Sequence, residues 1–145
     1  MTVREKAACL CYSIPALVLL GFGVRYLTAS EYMPYHAQGM GKDWEELTPQ
    51  VQGVMLGALR GAGGGFLFTG VTLLLLLAVP FSRGERWAFR AVPALIILSA
   101  LLGLYTTLTL TLLTPAVAPW PLAIVMAALA VLGVLLAPRP SGRSS

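Results

Sequence analysis

A single histidine, His36, sits in the most polar stretch of this chain, with Glu31, Tyr32 and Tyr35 just before it and Asp43, Trp44, Glu45 and Glu46 just after. An imidazole titrates near neutral pH, so a histidine among carboxylates can hold or move a proton. Arg25 and Arg60 flank the stretch on either side. A guanidinium there could clamp a carboxylate, a phosphate or a carbonyl. Two arrangements of these residues are open. In the plainer one, Arg25 and Arg60 pair with Glu31, Glu45 and Glu46 and hold the polar stretch down as a lid, because charges at a membrane boundary pair or snorkel. In the sharper one the same groups make a polar-mouthed pocket. Arg60 takes an anionic or carbonyl headgroup, Arg25, Glu31, His36, Glu45 and Glu46 surround it, and Tyr32, Tyr35, Trp44 and Tyr105 form the walls.

No defined reaction follows from these residues. One histidine with carboxylates lacks the ligand set of a zinc site. Cys9 and Cys11, the two cysteines, diverge by about 200° on a helix of 3.6 residues per turn, so they cannot bridge to each other without strain. They are expected to be inert thiols, with palmitoylation or an interchain contact as the alternatives. Neither a metal nor a cofactor is expected. Serine-hydrolase, zinc-peptidase, P-loop and dinucleotide motifs are absent in any fitting context, and catalytic residues stay unassigned.

The elements that must position these groups are apolar helices. Of 145 residues, 57% are hydrophobic and only 11% charged, where soluble domains carry about 25%. One all-α membrane domain, residues 1–145, is the expected class. Ala7 to Val24 is an uncharged run of eighteen residues, enough to cross ~27 Å at 1.5 Å per residue. It is read as a retained span over 7–27, bent at Pro15, in preference to a signal peptide, because no small-residue cleavage site follows it. An outer loop covers 28–48, where Asp43 with Glu46 has capping-box form and predicts one short interfacial helix beside Trp44. Thr48-Pro49 reads as N-cap and first residue of a second span over 50–79. A basic turn follows at 80–90, then a third span over 91–114, rich in threonine toward its far end. Those hydroxyls are expected to bond their own helix, with a polar path past Thr107 and Thr111 as the alternative. A short fourth span over 121–137 and a disordered tail over 138–145 complete the layout.

The second span carries the strongest pattern. Gly53, Gly57, Gly61 and Gly65 recur every fourth residue, which strips one helix face of side chains and permits close helix packing in lipid. Packing within the chain is the plainer expectation, homodimerisation the next, and contact of a ligand with bare backbone the third. Gly63-Gly64-Gly65 is a candidate kink. Arg60 precedes nineteen uncharged residues, Gly61 to Val79, so it is expected at the outer boundary, at a depth similar to Arg25.

Lys and Arg at positions 4, 6, 83, 86, 90, 139 and 143 lie outside the apolar runs. The positive-inside rule then puts both termini and the 80–90 turn in the cytoplasm. The net charge of +4 is thus an orientation signal and no nucleic acid is expected as a partner. The segments Glu31-Tyr32-Met33-Pro34-Tyr35-His36, Trp44-Glu45-Glu46-Leu47 and Arg60-Gly61-Ala62-Gly63-Gly64-Gly65 resemble those of small bacterial four-helix membrane proteins. The overall layout is similar to that of DoxX-like four-helix proteins. That resemblance implies a bacterial inner-membrane location and four-helix topology, and no activity. The expected function is binding of a lipid or small hydrophobic ligand, or service as an accessory subunit, in a homo-oligomer or larger membrane complex. The alternatives are a membrane enzyme acting on a lipid-like substrate at the outer leaflet, and a small transporter or channel.

Overall fold

A computed structural model describes residues 2–137. Five helices and two short tight turns account for most of it: α1 (Val3–Leu27), α2 (Pro34–Met40), a 3-10 turn (Trp44–Glu46), α3 (Pro49–Leu76), a π-helical turn (Leu77–Phe81), α4 (Ala88–Leu113) and α5 (Trp120–Leu136). Helices α1, α3 with its π turn, and α4 are long and apolar enough to cross a membrane; α5, with 17 residues, is apolar but shorter. The tail from 138 on, with Arg139 and Arg143, lies outside the described residues.

Local chemistry explains the boundaries. Helix α1 begins four residues before the apolar run because Thr2 and Glu5 cap it reciprocally: the Glu5 N–H donates to Thr2 Oγ1 at 3.2 Å, and the Thr2 N–H to Glu5 Oε2. Thr48 precedes Pro49 at the start of α3, where a missing N–H costs nothing. Helix α3 runs unbroken through Gly63-Gly64-Gly65, with no interruption of its α-helical pattern there. The irregularity comes at Pro80 instead. Its ring removes a donor and crowds the carbonyl four residues back, and the ladder widens to i→i+5, with the Ser82 N–H on Leu77 O at 3.2 Å and the Glu85 N–H on Pro80 O at 3.0 Å. Gly84, at φ +74°, completes the reversal.

Helix α1 is the axis of the bundle. It packs on α3 along one side and on α5 along another, and α5 carries α4; α3 and α4 barely touch. Glycines set the close approaches, but not those of the every-fourth-residue ladder. A Cβ at Gly23 would lie 2.7 Å from the Leu67 backbone, one at Gly63 2.8 Å from Tyr26 Cβ, and one at Gly70 2.9 Å from the Ala16 carbonyl. These three fix α1 and α3 as an antiparallel pair in near backbone contact. Gly53, Gly57, Gly61 and Gly65 are all exposed, and a Cβ on any of them would meet nothing within 4 Å. The ladder therefore faces away from the bundle and does not form its internal seam.

The core beside the 77–87 turn is built mainly of apolar side chains. Tyr12, Leu73, Phe81, Val92, Ile96 and Ala130 are buried together, with the Tyr12 and Phe81 rings edge-on at 5.7 Å. Outward faces are apolar too: Leu17, Phe68, Leu75, Leu98, Leu112 and Leu135 are each more than half exposed. A water-soluble bundle would put charge there; an apolar band around uncharged helices suits hydrocarbon.

Candidate functional site

At the other end of the bundle the helices part. The α1–α3 pair and the α4–α5 pair diverge around a pocket of about 300 Å³. Leu19, Phe22 and Tyr26 of α1 and Phe66 of α3 form one wall; Ser99, Gly103, Thr106 and Thr107 of α4 form the opposite one. Ala123 and Met126 of α5 form the back, and Tyr35 and His36 of α2 the roof. Because α3 and α4 hardly meet, the pocket opens sideways between them, past the exposed Ala62 and Thr106. Phe22, Tyr26 and Phe66 stack edge-on, with centroids 5.6 to 6.3 Å apart, and hold the α1–α3 wall rigid.

The roof is a short helix that the sequence reading missed. Pro34 starts it and Gly41, at φ +63°, ends it in the left-handed conformation that glycine adopts without strain. Its docking is specific. The Tyr35 and Tyr26 hydroxyls hydrogen-bond each other across from α1. Gln38 Oε1 accepts from the Val117 N–H of the α4–α5 loop at 3.1 Å. Gly39 lies over Leu110 and Thr114, where a Cβ would come within 3.1 to 3.2 Å of both.

The polar groups divide into two sets. On the α4 wall, Ser99 Oγ donates to Leu95 O at 2.8 Å, Thr107 Oγ1 to Gly103 O at 2.7 Å, and Thr106 Oγ1 to Leu102 O at 3.1 Å. Their protons are engaged by their own helix, so only lone pairs face a guest. At the roof, the Met33 N–H donates to His36 Nδ1 at 3.3 Å, which leaves Nε2 to carry the proton of the neutral ring. Burial pushes the His36 pKa below its ordinary 6.5, so the ring is neutral at pH 7. Burial, and then the bond to Tyr26, raise the Tyr35 pKa above the usual phenol range.

Of the residues expected from the sequence to form the polar-mouthed pocket, only Tyr35 and His36 line the one observed; Thr107, singled out on the threonine-rich helix, lines it as well. Tyr32 is buried beside it, its ring edge-on to Trp44 at 5.0 Å and its hydroxyl donating to the Lys42 carbonyl. The Trp44 carbonyl in turn accepts from Gln52 Nε2 at 2.8 Å. Glu46 caps the turn through the Asp43 N–H, at 3.1 Å. Glu31 and Glu45 are exposed, and Tyr105 is 71% exposed on the outside of α4. Arg25 and Arg60 are exposed as well, and among the described residues no hydrogen bond or ion pair joins either to Glu31, Glu45 or Glu46. The arginine-held acidic lid is therefore not formed; the roof is held by Tyr35, Gln38 and Gly39. Tyr26, Phe66, Ser99 and Gly103 were not foreseen at the site, since nothing in the sequence says which helix faces meet. No group of three His, Cys, Asp or Glu side chains converges for a metal among the described residues. No protein-family model matches the chain, and neither a curated protein nor a solved structure matches it.

Proposed function

We propose that this protein is a four-span membrane protein that holds a lipid or another small hydrophobic molecule in the pocket beneath α2. The single observation that carries the reading is the pocket: about 300 Å³, largely apolar, roofed by a docked helix and open sideways between α3 and α4. Sites for small hydrophobic molecules have this form, concave and apolar with a few convergent polar groups. Helix α5 serves as the fourth span, since 17 residues reach ~26 Å at 1.5 Å per residue, just short of the hydrocarbon core. The positive-inside rule puts the 82–87 turn and both termini in the cytoplasm of a bacterium and α2 on the outer side of its inner membrane.

Binding is favoured over conduction by the core below the pocket, where the buried side chains Leu73, Ile96 and Ala130 are apolar. Thr111 lies beyond the pocket and accepts from the Ala118 N–H at 3.4 Å. Binding is favoured over turnover because His36 stacks on Tyr35, with ring centroids 4.3 Å apart, and has its Nδ1 engaged by backbone, with no carboxylate bonded to it among the described residues.

The test is native mass spectrometry of protein purified from its own membrane in mild detergent, beside Gly103→Leu. Gly103 lines the pocket, and a Cβ there meets only Ala123, at 3.9 Å, so leucine is expected to fill the pocket, with an unchanged melting temperature showing that the α4–α5 packing is kept. A hydrophobic adduct on the parent that is lost from the variant is the expected result. No adduct on the parent, or the same adduct on both, overturns the reading.

A further inference from the structure

The hydrogen-bonding capacity left over in the pocket identifies the chemistry of its guest. The Tyr26 and Tyr35 hydroxyls between them carry two protons and share one bond, so one O–H has no acceptor among the described residues. Neutral His36 adds a second such donor, Nε2–H, because Nδ1 already accepts from Met33. Both belong to side chains that line the roof end of the pocket. On the α4 wall the reverse holds, because Ser99, Thr106 and Thr107 have given their protons to their own helix. The roof end is thus short of an acceptor.

Charge narrows this further. No Arg, Lys, Asp or Glu is among the residues that line the pocket. An ionised carboxylate or phosphate carried into it would leave water without meeting a counter-ion, and a buried unpaired charge costs far more than a neutral hydrogen bond returns. An uncharged carbonyl oxygen costs little to desolvate and satisfies the donors at the roof.

We propose that the pocket selects an uncharged amphiphile whose head is a carbonyl oxygen, a ketone or an ester, received by the Tyr26–Tyr35 hydroxyl pair and His36 Nε2–H, with an aliphatic chain between Phe66 and the α4 wall. This rests on the hydrophobic-ligand reading above and adds the head-group class. A volume of about 300 Å³ is about twice the ~150 Å³ of a cavity that takes one benzene, so a guest of about ten to twelve heavy atoms, roughly decyl in size, is matched to it. The donors do not distinguish a membrane-lipid ester from a free ketone.

The experiment uses the full chain in lipid nanodiscs and three probes of matched length: 2-decanone, decanoate at pH 8, and decane. Methyl decanoate is run beside 2-decanone to tell an ester guest from a ketone; tighter binding of either supports the carbonyl class and identifies the source. Retention is measured after gel filtration, and the carbonyl stretch of the ¹³C-labelled probe is read by infrared difference. The expected order is a carbonyl probe first, decane next and decanoate last, with a downshifted carbonyl band in the complex. Tyr35→Phe keeps one free hydroxyl and is expected to retain the band shift. Tyr26→Phe/Tyr35→Phe removes both hydroxyls. It is expected to weaken carbonyl-probe binding by on the order of tenfold, the worth of one hydrogen bond, while decane binding stays unchanged and shows the pocket intact. If decanoate binds as well as the carbonyl probes, or the double variant leaves the band unshifted relative to the parent complex, the head-group assignment is overturned and the hydrophobic-ligand reading survives. If no probe is retained, both fall. Should the double variant not fold, the probe ranking and the infrared band of the parent decide alone.

Discussion

The Tyr12 ring of α1 occupies the space that Gly133 leaves on α5: a Cβ at 133 would fall within the ring's own contact envelope. Here, as at Gly23, Gly63 and Gly70 and unlike the regular ladder on α3, a missing side chain lets two helices close. Gly133→Ala is expected to cost about 1–3 kcal/mol by overpacking and to lower the melting temperature in detergent. Gly57→Ala meets nothing within 4 Å and is expected to leave melting unchanged or raise it slightly through helix propensity. Equal melting of Gly133→Ala and the parent would contradict the packing described.

Tyr12 raises a second expectation. Its hydroxyl is buried and has no hydrogen-bond partner among the described residues, and an orphaned buried polar group costs about 1–3 kcal/mol. Tyr12→Phe keeps the edge-on contact with Phe81 and removes the orphan. It should be neutral or stabilising by up to ~1 kcal/mol, read as a melting temperature at or above the parent's. A clear fall would mean that the hydroxyl has a partner.

The roof offers a third. Gln38→Ala deletes the acceptor for the Val117 N–H and should cost about 1 kcal/mol, seen as faster hydrogen exchange at Val117 and across 34–40. Arg60→Ala removes no hydrogen bond or ion pair to the loop, and exchange there should match the parent. Faster exchange over 28–48 in Arg60→Ala would restore the arginine-held lid.

Acid should loosen the same roof through His36. Its folded pKa lies below 6.5 because burial disfavours the charged ring, so the opened roof binds the proton first. The sign is therefore definite: His36 contributes stability fully above pH 6.5, and that contribution is lost as pH falls from there through the depressed folded pKa. Protonation also turns Nδ1 from acceptor to donor and breaks the bond from Met33. Limited proteolysis of 31–47 should accelerate between pH 7 and pH 5 in the parent and much less in His36→Gln. Parallel profiles for the two would reject a role for the imidazole.

Helix positions were legible because composition and capping are local. The Thr48-Pro49 start, the Trp44–Glu46 turn and the reversal after Pro80 are written in a few adjacent residues. What decides the site is not local. The lengths of the apolar runs predict a common depth for Arg25 and Arg60, but depth says nothing about azimuth, and both are exposed with no bond to the acids among the described residues. The ladder showed a bare face on α3; whether that face meets α1 depends on the pairing, and Gly63 and Gly70, seven apart, were chosen instead. The Pro34 to Gly41 segment is short and polar and so has the composition of a loop, although proline and a left-handed glycine bound it as they bound many helices.

The lateral mouth between α3 and α4 sets how a guest would arrive. On the proposed reading, a molecule dissolved among acyl chains would reach it by diffusing in the plane of the bilayer, without crossing water. Occupancy then follows the guest's mole fraction in the leaflet, not its aqueous solubility. On that reading the protein would hold molecules too insoluble to be titrated from solution, and its saturation would track membrane composition.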